Sequence, residues 1–211
     1  DRADGNIDRA REQLQWVIDN TTDAATLGAA RHNLGLVLLD AGELDAAEAE
    51  LVRARGLLSG ALGEHHASVG NCQHSLGVVL AERGALDESV EAFRAALAIR
   101  ETALTAPHPL TAETHTSLGV AYAQQGDLDG ALASHRAALA IDAEVLGPQH
   151  ETTAVDHAHI GSTLIRLGKH EAAGAAFERA LAILEATRPD DDPEVQRLRV
   201  WIEVAAGQNE G

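Results

Sequence analysis

The sequence predicts an all-α fold, an array of antiparallel helix pairs, and three observations carry that prediction. First, the same residues recur every 42 positions: Leu34-Gly35, Leu76-Gly77, Leu118-Gly119 and Ile160-Gly161 form one ladder, and Gly42, Gly84, Gly126 and Gly168 form another. Second, the apolar residues of each copy follow helical spacing, as in Leu76, Val79 and Leu80 before Gly84 and Val90, Phe93 and Leu97 after it. Third, 45% of the residues are apolar but only 2% are aromatic, so Ala, Leu and Val dominate, a mixture that favours helix. Ungapped copies of a two-helix unit at a fixed period define a repeat architecture.

The elements follow in order. Gly5, Ile7, Ala10, Leu14 and Val17 reproduce the pattern of the second helix of a repeat, with Gly5 only 37 residues before Gly42. This predicts an orphan second helix over 5–20 with a shortened loop after it, and a first helix further upstream. The absence of Met from the sequence agrees with an excerpt of a longer polypeptide. Repeats at about 24–61, 67–104, 109–146 and 151–187 then each supply a helix A and a helix B. Gly42, Gly84, Gly126 and Gly168 stand where helix A must stop, a position that favours the left-handed conformation. Gly35, Gly77, Gly119 and Gly161 lie inside helix A, where glycine costs ~1 kcal/mol relative to Ala. Small residues at Ala47, Ser89, Ala131 and Ala173 on helix B point to the compensation, a close approach of the two helices. Finally, Asp192-Pro193-Glu194 is a helix-start signal, and Val195, Leu198, Trp201, Ile202 and Ala205 form an apolar stripe. A capping helix over 193–206 is expected to cover the last repeat.

Charge narrows the partners. Sixteen Lys and Arg against 33 Asp and Glu give a formal net charge of −17, which repels phosphate backbones and anionic membrane surfaces. Direct binding of nucleic acid or membrane is not expected. Cys72 is the single cysteine, so no intrachain disulfide can form, and no run approaches the ~18 apolar residues of a membrane span. Those features fit a cytoplasmic protein. Lys169 is the one lysine beside many Arg and abundant Ala, a bias typical of GC-rich bacterial genomes.

Chemistry finds little support. His66, His108 and His150 occupy one repeat position each, so a whole repeat separates them and they are expected to pack or cap at the start of the next helix A. His65-His66, and His157 with His159, lack the i, i+4 spacing of a helical metal pair, so no metal and no cofactor are expected. Cys72 falls mid-helix at a small apolar position, and neither a phosphate-binding glycine loop, a nucleophile elbow nor a paired-carboxylate signature is present. No catalytic residues are assigned and no enzyme activity is expected. Glu48, Glu50, Glu88, Glu91 and Glu178 read as a solvated face of helix B.

The interval from Leu-Gly to the small residue at 47 and the small residue at 54, with a large residue at 51, 93 or 177, resembles the tetratricopeptide repeat. The longer period, the loops Leu104-Thr105-Ala106-Pro107-His108-Pro109 and Leu146-Gly147-Pro148-Gln149-His150, and Ala96-Leu97-Ala98-Ile99-Arg100-Glu101 resemble the 42-residue variant of kinesin light chains and many bacterial regulators. The resemblance spans about 24–187 and implies a right-handed superhelical solenoid. Arg31, Gln73, His115 and His157 depart from the usual Trp of helix A, and His135 replaces the large aromatic of helix B, where looser packing is expected.

The resemblance also implies that a concave groove lined by helix A binds a protein segment. The lining positions it carries over are Ala29, His32, Leu36, Leu39 and Asp40; Asn71, His74, Val78, Ala81 and Glu82; Glu113, Thr116, Val120, Ala123 and Gln124; and Val155, Ala158, Ser162, Ile165 and Arg166. They make an apolar strip with an acidic edge over the first two repeats. The Lys and Asn with which some members hold a partner's C-terminal carboxylate are missing, so an apolar segment with basic flanks is the expected ligand. The expected role is recruitment or sensing in a bacterial regulator. A self-associating scaffold and a receptor for a small signalling peptide are the rival readings.

Overall fold

The computed structural model describes residues 2–207, with side chains from Ile7 onward. Asp1, residues 208–211 and the side-chain environment of Gly5 lie outside that description. The chain forms two compact units, Asp1–Ala106 and Pro107–Gly211. The first contains α1 (Arg2–Asn20), α2 (Ala24–Asp40), α3 (Leu44–Leu62), α4 (Ala67–Glu82) and α5 (Leu86–Ala103). The second contains α6 (Pro109–Gln125), α7 (Leu128–Val145), α8 (Glu151–Arg166), α9 (His170–Glu185) and α10 (Pro193–Gly207). No strand occurs among the described residues, and the all-α prediction holds. In repeat terms α2, α4, α6 and α8 are helices A, and α3, α5, α7 and α9 are helices B.

Short-range chemistry sets the helix ends. The backbone of Gly42 turns left-handed at φ 74°, which lets the Gly42 amide donate to Leu39 at 2.8 Å and the Glu43 amide to Leu38 at 2.9 Å. Each repeat-start histidine is an N-cap: Nδ1 accepts from the amide of Ser68 on His66 at 3.2 Å, of Leu110 on His108 at 3.1 Å, and of Thr152 on His150 at 3.1 Å. An Nδ1 that accepts must be unprotonated, so the cap fixes the ring tautomer. Asp192 caps α10 in the same way, accepting from the Glu194 amide at 2.8 Å.

Each A–B pair closes on a glycine. A Cβ added at Gly35 would stand 2.7 Å from Leu51, at Gly77 2.7 Å from Phe93, at Gly119 2.5 Å from His135 and at Gly161 2.7 Å from Phe177. The large residue of helix B therefore rests on the backbone of helix A. The small ladder completes the contact: Ala47, Ser89, Ala131 and Ala173 are fully buried, and the Ser89 hydroxyl donates to the Gly77 carbonyl at 2.7 Å. His135 does not loosen the third pair, contrary to the expectation for a polar ring there. It is buried as deeply as Phe177, because Gly119 admits an imidazole as closely as Gly77 admits a benzene ring.

Within each unit, successive repeats meet where helix B packs on the next helix A. Between α3 and α4 that junction is filled by Ala54, Leu58, Val69 and Cys72, and between α9 and α10 it includes Leu184 and Leu198. Between α7 and α8 the corresponding positions are Asp142 and Asp156, both buried. The helix B acidic face needs one correction. Glu50 is not solvated, because Arg31 on α2 reaches it at 2.6 Å and Arg53 pairs with it as well. Glu48 is likewise half-buried and paired with Arg83. Glu88, Glu91 and Glu178 are exposed.

Candidate functional site

The helix-A faces of the two units carry different mixtures of structural and outward-facing side chains. In the first unit, His32 Nε2 and the Ser75 hydroxyl lie 3.1 Å apart and tie α2 to α4. Asn71 accepts from the buried Arg100 guanidinium at 3.0 Å. The His74 ring leans on Phe93 with centroids 5.4 Å apart, and burial pushes its imidazole down to about 4, with Arg100 and His32 adding to the shift. Burial lowers His32 also. Both rings are thus neutral at pH 7, and part of the strip assigned to a partner already holds the fold. Leu36 and Val78 are half-buried, and Asp40 and Glu82 are exposed at the C-terminal ends of α2 and α4.

In the second unit Val120 is half-buried on α6, with Glu113 and Gln124 exposed on the same helix. The Thr116 hydroxyl bonds inward, to the Ala112 carbonyl at 3.2 Å and to Asp156 at 3.5 Å. On α8, Val155 and Ser162 are exposed and Ala158 is half-buried. These three line a cleft of about 440 Å³ whose floor is Phe177, Leu184 and Leu198 and whose far wall is Trp201, Arg197 and Glu194 of α10. Ile165 and Arg166 are not part of it. Phe177 and Trp201 stack with centroids 6.0 Å apart, which fixes the wall. Arg188 holds the approach to α10 in place through Glu151 at 2.9 Å, Asp192 at 3.6 Å and Glu194 at 3.8 Å. His159 also reaches the cleft and stacks on His135 at 5.0 Å, with ring planes 11° apart.

The lining positions on helix A do not by themselves disclose the α10 wall. The signal was in the period: α4, α6, α8 and α10 begin at 67, 109, 151 and 193, so α10 continues the helix-A series. A second cleft, of about 770 Å³, lies in the first unit between α1 and α3. Its floor is Leu34 and Leu38, and its walls include Trp16, Ala46 and Ala49. Trp16 is 67% exposed. Among the described residues no group of three or more His, Cys, Asp or Glu is placed to hold a metal ion. Among the described residues no helix is long and apolar enough to cross a membrane.

Paired helices repeated at a fixed period, closing on a glycine and exposing one helix face, define a helical repeat protein, an architecture that presents extended surfaces. The sequence matches the model of the tetratricopeptide repeat family over residues 26–102 and 110–186, and the chain belongs to that family. Its members generally serve as protein–protein interaction modules and are typically non-catalytic. A search of curated sequences found no match. Among solved structures the chain is similar to BtubC (BKLC) from P. vanneervenii, with TM-score 0.83 at 16% identity, covering 99% of this chain and 84% of that one. It is also similar to a kinesin light chain with TPR-like repeats from Podosopora anserina, with TM-score 0.74 at 22% identity over 88% and 91% of the two chains. MamA gives TM-score 0.66 at 19% identity over 88% and 92%. At these identities the likeness establishes the fold.

Proposed function

We propose that the chain is a non-catalytic recruitment module whose helix-A faces hold a partner segment, apolar along its contact and flanked by Arg or Lys. The observation that carries this reading is the cleft in the second unit, where Val155, Ala158 and Ser162 face Trp201 across an apolar floor. Concave sites of this kind suit a few apolar anchor side chains. On the first unit, whose own helix-A face carries the half-buried Leu36 and Val78, the exposed Asp40 and Glu82, with a chain charge of −17, favour a segment with basic flanks, because complementary charge speeds encounter and fixes register. The setting inferred is the sensing or recruitment region of a bacterial signalling or transcriptional regulator in the cytoplasm. The Arg- and Ala-rich composition and the single, buried thiol of Cys72 support it.

Selection of a random peptide library on the folded chain tests this reading. The expected winners combine aliphatic or aromatic anchors with Arg or Lys, and Asp40→Lys with Glu82→Lys reduces the salt dependence of their binding. Acidic or wholly polar winners, or a salt dependence that the two reversals leave untouched, would refute it. One observation favours a second reading, a self-associating scaffold: Trp16 stands exposed beside an apolar cleft. In that case light scattering would show a mass that rises with concentration and returns to the monomer value in Trp16→Ser.

A further inference from the structure

Asp142 on α7 and Asp156 on α8 are 4% and 1% exposed, at positions where other junctions hold Leu58 with Cys72 and Leu184 with Leu198. The two carboxyls lie close enough to act on each other. Two carboxylates can only accept, so a hydrogen bond between them would require a proton on one of them. Thr116 on α6 donates to Asp156 Oδ1 at 3.5 Å, while Asp156 Oδ2 is buried with no hydrogen-bond partner. An ionised pair would leave that oxygen charged and without a donor in a low-dielectric site.

We propose that the Asp142–Asp156 pair is a proton-operated latch on the α7–α8 junction, closed while the pair keeps its proton and loosened when the proton leaves. The surroundings offer little to hold a second negative charge. His150, in the loop before α8, acts on Asp142; α6 contributes the Thr116 hydroxyl; and no charged group of α9 acts on either carboxyl among the described residues. Burial, with the Asp142 charge next, pushes the Asp156 carboxyl up to about 7, and burial raises Asp142. A carboxyl whose folded value is raised stabilises the fold fully below its unfolded value near 3.8 and loses that contribution as pH rises through about 7. The latch therefore opens across neutral pH. No comparable response is expected at the α3–α4 junction, where Leu58 and Cys72 meet.

The proton is observable directly. In the wild-type chain with ¹³C-labelled aspartate, one carboxyl resonance should titrate near neutrality, and Asp156→Asn should abolish it. Asp156→Asn keeps a donor toward Asp142 and removes the shared proton. Urea denaturation then reads the consequence: the wild-type unfolding constant, divided by that of Asp156→Asn or of Asp142→Leu with Asp156→Leu, should rise at least ~10-fold between pH 5.5 and 8. Using a ratio cancels the titration of the remaining carboxylates and histidines. Should the leucine pair fail to fold, the asparagine variant carries the comparison alone. If every aspartate titrates below pH 5, or if the ratio stays constant across that range, the latch does not exist.

Discussion

The pairs α4–α5 and α6–α7 share one backbone arrangement and differ in what fills it. Phe93 rests on Gly77 and His135 rests on Gly119, each ring against the glycine at nearly the same separation. The phenyl ring, on which His74 leans, brings no polar atom of its own into the core. The imidazole brings Nδ1 into the core without a hydrogen-bond partner, and burial pushes it down to about 4, with His159 adding to the shift. The junctions repeat the contrast, apolar at Leu58 and Cys72 and acidic at Asp142 and Asp156. The lesson is that glycine and the small ladder set where the helices lie, while the residue in the slot sets how the unit responds to protons.

The largest expected effect would break the common frame itself. Gly77→Leu and Gly119→Leu force a side chain into a ring that has nowhere to move, and each should cost ~1–3 kcal/mol by overpacking. For a chain of this size each such kcal/mol lowers Tm by roughly 2–4 °C, readable by calorimetry. If Gly119→Leu melts like the wild type while Gly77→Leu does not, the two pairs are not equivalent and the comparison fails.

A smaller effect sharpens the chemical half of the contrast. His135→Phe gives the third repeat the ring of the second and fourth, removes a buried unsatisfied nitrogen, and should stabilise the chain by ~1 kcal/mol at pH 7. Its pH signature has a definite sign. A histidine depressed to about 4 when folded and near 6.5 when unfolded contributes stability above 6.5 that is lost as pH falls toward 4. Denaturant titrations from pH 4.5 to 7 should show a shallower acid loss in His135→Phe. This slope opposes that of Asp156 over the same range, so each is legible only as a difference between variant and parent. A steeper acid loss in His135→Phe would contradict the assignment.

The smallest effects lie at the helix starts. His66→Ala, His108→Ala and His150→Ala each remove one N-cap acceptor and should cost ~0.5–1 kcal/mol, with Asp in the same place recovering most of it. Equal losses from Ala and Asp would mean that the imidazole acts by packing and not by capping.

Much of this was legible in the sequence because a repeat multiplies weak signals. One glycine inside a helix is ambiguous, whereas four at the same interval from a left-handed glycine specify a helix pair and its contact. The repeat-start histidines were legible as packing or capping residues for the same reason, and their Nδ1 contacts make them caps. What the ladders concealed lay in their exceptions. His135 reads as a defect in the aromatic column until His159 is seen stacked on it. Asp142 and Asp156 stand 14 residues apart on different helices, and their pairing depends on how α7 crosses α8. The face of α8 was legible, but its opposite wall was not, since Trp201 reads from sequence as part of a capping stripe and turns out also to line the cleft.

Whatever fills their interiors, the two units keep a valine at the same outward slot of helix A, Val78 and Val120, both half-buried. This face, and not helix B, is the one proposed to meet the partner. The direct measurement is a calorimetric titration of one library-selected peptide against wild type, Val78→Glu, Val120→Glu and the helix-B control Glu91→Lys, with circular dichroism confirming that each variant is folded. Affinity should fall at least ~10-fold for a valine variant, as a charge forced against an apolar contact does, and change by only a few tenths of a kcal/mol for Glu91→Lys. Normal binding by both folded valine variants, together with lost binding by Glu91→Lys, would contradict the assignment and move the function to helix B.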